Sequence, residues 1–112
     1  MSRKRFILEM GAGVDLHGKD YTKAAVRAVD DALRHSSLAF IKSMNIDKNR
    51  IEVDVTVGSG APDAVDLEAV RGRFPIGKVT VSSVAGGLDV PDDDSDDQAS
   101  IVSAAVEVYL LD

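Results

Sequence analysis

The chain has no cysteine and no tryptophan, and it has only two tyrosines, three phenylalanines and three prolines in 112 residues. Without cysteine, a disulfide framework, a thiolate nucleophile and a thiolate metal site are all excluded. Positive charge is also scarce: 13 lysines and arginines stand against 19 acidic residues, giving a net charge of -6 and a pI near 4.8. Nucleic-acid backbones and anionic membranes reward clustered cations, so neither is expected as a partner. The one basic cluster, Arg3-Lys4-Arg5, is too short to reverse that balance. Long apolar runs are missing as well. Phe6-Ile7-Leu8 meets Glu9 at once, which is too brief for a signal peptide or a membrane span, and a cytoplasmic location is the expectation.

What is present suffices for one core. At 45% apolar content, residues 1–112 are expected to form a single αβ domain. Arg5–Met10 reads as a first strand that stops at the glycine loop Gly11-Ala12-Gly13. From Asp20 onward, Ala25, Ala28, Val29, Ala32 and Leu33 recur at helical spacing, with Asp20 placed to cap the exposed N–H groups of the first turn. A stripe made mostly of alanine requires whatever it packs on to come close. Leu38, Phe40, Ile41 and Met44 suggest a further helical turn. Ile51, Val53, Val55 and Val57 alternate with Glu52, Asp54 and Thr56 as in a strand with one buried face. A short helix capped by Asp66 should end at Gly72, and Lys78–Val84 reads as a third strand. Residues 92–98 form an acidic loop expected to be mobile. Ile101–Leu111, apolar on both faces, belongs in the middle of a sheet or under a subunit contact. The expected class is α+β, a two-layer α/β sandwich: a mixed four-stranded sheet with one long helix and one or two short helices on one face.

Chemistry concentrates in Gly11-Ala12-Gly13-Val14-Asp15-Leu16-His17-Gly18, between the first strand and the main helix. Two residues apart on an extended backbone, Asp15 and His17 point the same way. They could share a divalent metal ion, or Asp15 could orient His17 as a general base, with Gly11, Gly13 and Gly18 letting a ligand approach the backbone. The plain alternative is a tight turn in which both side chains serve local hydrogen bonds. A dinucleotide fingerprint does not fit, because Leu16 stands where the third glycine is needed.

With Gly11, Gly13, Asp15, His17 and Gly18 in place, the segment resembles a small family of conserved hypothetical proteins marked by G-x-G-x-D-x-H-G, found in bacteria and in longer form in plants. Asp20-Tyr21-Thr22-Lys23-Ala24-Ala25-Val26-Arg27-Ala28 is similar to the same family. The family carries no assigned activity, so the resemblance implies only that Asp15 and His17 are the positions to test. Ser82 and Ser83 before Gly86-Gly87 are similar to the nucleophile region of ring-opening amidohydrolases of the cyanuric acid and barbiturate type. The lysine of those enzymes has no counterpart, since Asp54, Thr56 and Val57 occupy the corresponding strand.

Gly58-Ser59-Gly60 could form an anion nest with charge from Arg71 or Arg73, or simply a turn. Asp92, Asp94 and Asp96 begin like a calcium loop, but Asp97 and Ser103 stand where the glycine and the bidentate glutamate belong. If the strands run parallel, Asp15, His17, Asp63, Asp66, Arg73 and Asp89 could converge at one sheet edge. The resulting expectation is a small-molecule-binding or hydrolase-like protein built around Asp15 and His17, completed by another copy in a homo-oligomer. The alternative is a non-catalytic oligomeric module.

Overall fold

In the computed structural model, residues 2–35, 43–75 and 77–112 are described. The helical turn expected over 38–44 falls mostly outside them. The elements in order are β1 (Arg3–Asp15), α1 (Tyr21–Arg34), a 3-10 turn at Lys48–Arg50, β2 (Ile51–Ser59), a second 3-10 turn at Pro62–Ala64, α2 (Leu67–Arg71), β3 (Lys78–Ala85), β4 (Leu88–Pro91) and β5 (Gln98–Leu111).

The sheet is mixed, as expected, but it has five strands rather than four. Its order is β1-β5-β2-β3, and β4 also pairs with β5. The β2–β3 pair is parallel, and β5 runs antiparallel to β1, β2 and β4. It follows that β1, β2 and β3 share one direction and end at one edge, the arrangement that brings their glycine-rich ends together. Ser100 and Ile101 pair with β1 on one side and with β4 on the other, so β4 continues the line of β2 past its end. As its two-sided apolar pattern requires, β5 is the central strand.

The inner face of the sheet meets α1. Ile51, Val53, Val55 and Val57 on β2 and Val102, Ala104, Val106 and Val108 on β5 are buried against Ala24, Ala25, Ala28, Val29 and Ala32. Asp20 caps α1 by accepting from the Lys23 N–H at 2.9 Å, and Asp66 caps α2 in the same way, with Gly72 at its end.

The principal correction concerns β1. Instead of ending at Met10, it runs through both glycines to Asp15. Register places Gly11, Gly13 and Asp15 opposite the inward residues Ala104, Val102 and Ser100. A Cβ on Gly11 would collide with the backbone of Ala28 and Ala32, and one on Gly13 with that of Ala24 and Ala28. The alanine stripe of α1 thus rests on a glycine stripe of β1, which lets helix and strand approach almost backbone to backbone. The free edge of β1 is also engaged by α1. Asp31 accepts from the Ala12 N–H at 3.0 Å, and Arg27 donates to the Val14 carbonyl at 2.6 Å.

Candidate functional site

Asp15 and His17 lie at the carboxyl end of β1, but they engage different partners. Asp15, the next inward residue after Gly13, is 2% exposed. Its carboxylate accepts from the Asp20 N–H at 3.0 Å and pairs with Lys23 Nζ at 2.6 Å, with Arg27 at 4.0 Å. The Lys23 ammonium, followed by the Asp20 N–H, holds this carboxyl below its ordinary range. Asp15 therefore ties the end of β1 to the first turn of α1, and its oxygens are already occupied.

His17 turns outward, with its side chain 83% exposed, and its Nδ1 lies 3.2 Å from Asp97 Oδ2. β1 ends at Asp15 and the chain bends at His17 and Gly18, so strand alternation no longer relates the two side chains. Gly18 with φ of 94° and Lys19 with φ of 54° then lead into α1. Asp97 is itself fixed. Its Oδ1 accepts from the N–H groups of Gly18 and Gln98, each at 2.9 Å, and these two bonds lower its pKa ahead of the contribution from His17. The orienting carboxylate of His17 is accordingly Asp97 on the β4–β5 loop, and not Asp15. Around this pair lies a cleft of about 300 Å³ whose walls include Leu16, His17, Val90, Pro91, Asp92, Asp97, Gln98 and Ala99.

The acidic loop is closed by its own hydrogen bonds. The Asp92 N–H donates to the Asp97 carbonyl at 2.9 Å, and Asp92 accepts from the Asp94 N–H at 3.1 Å and the Ser95 hydroxyl at 2.9 Å.

Behind the cleft is a polar network that brings two of the residues expected to converge, Asp15 and Asp89, together with Tyr21, Gln98 and Ser100, which the sequence does not single out. Asp15, Ser100 and Asp89 face inward side by side on β1, β5 and β4. The Tyr21 hydroxyl donates to Asp89 Oδ2 at 2.8 Å, and Gln98 Nε2 donates to Tyr21 Oη at 2.6 Å and to Ser100 Oγ at 3.0 Å. Asp89 Oδ1 is buried without a hydrogen-bond partner among the described residues. Gly60 faces this carboxylate, and a Cβ there would strike it.

The remaining expected site residues are dispersed. Arg73 forms a two-pronged ion pair with Asp30 at 2.8 and 2.9 Å, and Arg71 pairs with Glu68, so neither arginine supplies the Gly58–Gly60 turn with charge. Gly58 packs against Gly86 and Gly87. The Ser83 hydroxyl donates to the Pro62 carbonyl at 2.8 Å, while Ser82 lies exposed on the opposite face. Asp66 is spent on its helix cap. Among the described residues, no group of three or more His, Asp or Glu side chains is placed to hold a metal ion. Asp15 and His17, expected to share a divalent metal, are turned to different partners, Lys23 and Asp97. No described helix is long and apolar enough to cross a membrane.

A crystal structure of a protein from Nostoc punctiforme, described as FtsZ-like and of unknown function, is similar to this chain at 35% identity. It covers 100% of this chain and 99% of that one with a TM-score of 0.79. No curated protein matches. Residues 5–108 match the family model described as "Conserved hypothetical protein (Lin0512_fam)", and the chain belongs to that family.

Proposed function

We propose that the chain binds a small organic molecule in the strand-end cleft, with His17 as its proton-exchanging contact and Asp97 as the group that orients the imidazole. The observation that carries this is the His17 Nδ1 to Asp97 Oδ2 contact of 3.2 Å at the cleft wall, with Asp97 held from behind by two backbone N–H groups. A carboxylate so placed favours the tautomer with Nδ1 protonated, leaving the Nε2 lone pair to accept from a ligand. Leu16, Val90 and Ala99 provide an apolar wall, and Gln98 belongs to the same rim. The carboxylates of Asp92 and Asp97 favour a neutral or cationic ligand over an anion. An amine, alcohol or amide of modest size fits that chemistry.

The test is a panel of small amines, alcohols and amides followed by ¹⁵N shifts of the His17 ring. Binding should shift the His17 signals and vanish in His17→Ala, while Asp97→Ala should weaken it and change the tautomer ratio. A ligand whose affinity is the same in all three proteins would end the proposal. Loss of binding in Asp15→Ala with the fold intact would return the chemistry to Asp15.

A further inference from the structure

Over Met10–Val14 of β1 the larger side chains stand on the outer face of the sheet and the glycines on the inner. Leu88, Ile101 and Val14 form one row across β4, β5 and β1, with Val90 and Leu16 beyond one end of it and Met10 toward the other. These six side chains are between 38% and 63% exposed. Large apolar side chains grouped in this way mark a contact surface, not ordinary surface scatter.

Charge identifies what could cover it. The outward strand positions carry Arg3, Arg5 and Lys78 against Glu52, Asp54 and Glu107, so this face is neutral on a chain whose net charge is -6. The charges also pair within the face: Arg3 with Glu52 at 3.3 Å and Asp54 at 3.0 Å, and Arg5 with Glu107 at 2.9 Å. Two copies of an acidic chain repel one another through most approaches, and a neutral, internally paired face removes that repulsion. Shape agrees with charge. Met10 protrudes beside a depression of about 170 Å³ whose floor includes Gly58, Gly86 and Ser103. A knob and a hole on the same surface are what a two-fold contact needs, because each copy presents both.

We infer that the outer sheet face, centred on Met10, Val14, Leu88 and Ile101, binds a second copy of this chain to form a two-fold dimer. The contact does not involve the His17–Asp97 hydrogen bond, so it stands or falls independently of the cleft's ligand. Leu16 and Val90 belong both to this face and to the cleft wall, so the contact would border the cleft.

Sedimentation velocity on the full chain, over a concentration series at moderate salt, tests this directly. The wild type should be a dimer that persists when salt is raised, since the contact is apolar. Ile101→Lys should weaken association at least tenfold while leaving the far-UV spectrum unchanged. Leu88→Lys, on the short strand β4, is the second variant should Ile101→Lys fail to fold. Glu68→Lys, on α2, which packs beside α1 on the other side of the sheet, should leave the dimer intact. A monomer at every concentration would overturn the inference, whether or not it adsorbs to neutral phosphatidylcholine vesicles. So would an oligomer indifferent to both lysine substitutions.

Discussion

The two faces of the sheet divide Met10–Val14 of β1 by size. Inward stand Gly11 and Gly13, pressed on the backbone of α1, while outward stand Met10 and Val14, both of them exposed. In an isolated sheet the larger residues would be expected inside. The inversion teaches that the two faces are stabilised differently. The inner one gains by close approach of two backbones, whereas the outer one leaves apolar area exposed.

The largest expected effect comes from placing bulk on the inner face. Gly13→Val would force β1 and α1 apart along their whole contact and should cost more than about 3 kcal/mol, or abolish folding, as read by urea unfolding. Next is Asp15→Ala, which strands the Asp20 N–H and removes the Lys23 ion pair. A loss of roughly 1–3 kcal/mol at neutral pH is expected.

The same substitution has a pH signature. Because the folded-state pKa of Asp15 is depressed below its ordinary 3.8, its stabilising effect is complete above that value and disappears as pH falls through the folded pKa. Wild type and Asp15→Ala should therefore converge in stability toward acid, and curves that stay parallel would contradict the assignment. Asp20→Ala, which removes the α1 cap, should cost about 1 kcal/mol in the same measurement. The smallest effect belongs to the outer face. Met10→Ser should change monomer stability by no more than about 0.5 kcal/mol, and a larger loss would show that Met10 is packed within the monomer.

Much of the fold was legible because its signals are local. The valine alternation of β2, the alanine period of α1, and the Asp20 and Asp66 caps each lie within a few residues and were read with the correct type. Errors arose where a local rule met a tertiary cause. Glycine ordinarily punctuates a strand, so β1 was cut at Met10, although Leu8, Met10, Ala12 and Val14 keep the alternation going through Gly11 and Gly13. Strand β4 has four residues and closes on Pro91, too little pattern to distinguish from loop. At the site, His17 was visible as an imidazole between glycines. Its partner Asp97 lies 80 residues away in a run of acids, where no spacing argument could select one member. The extended-chain rule that groups Asp15 with His17 fails because β1 ends at Asp15 and the chain bends at His17 and Gly18.

The bonds from α1 to the rim of β1 carry a consequence for assembly. With the Ala12 N–H held by Asp31 and the Val14 carbonyl held by Arg27, this stretch offers those two hydrogen-bonding groups to no incoming strand. Growth of the sheet sideways, the route toward fibrous aggregates, is obstructed at the carboxyl end of this strand. The face-to-face association inferred above does not use these groups and would be left open by them.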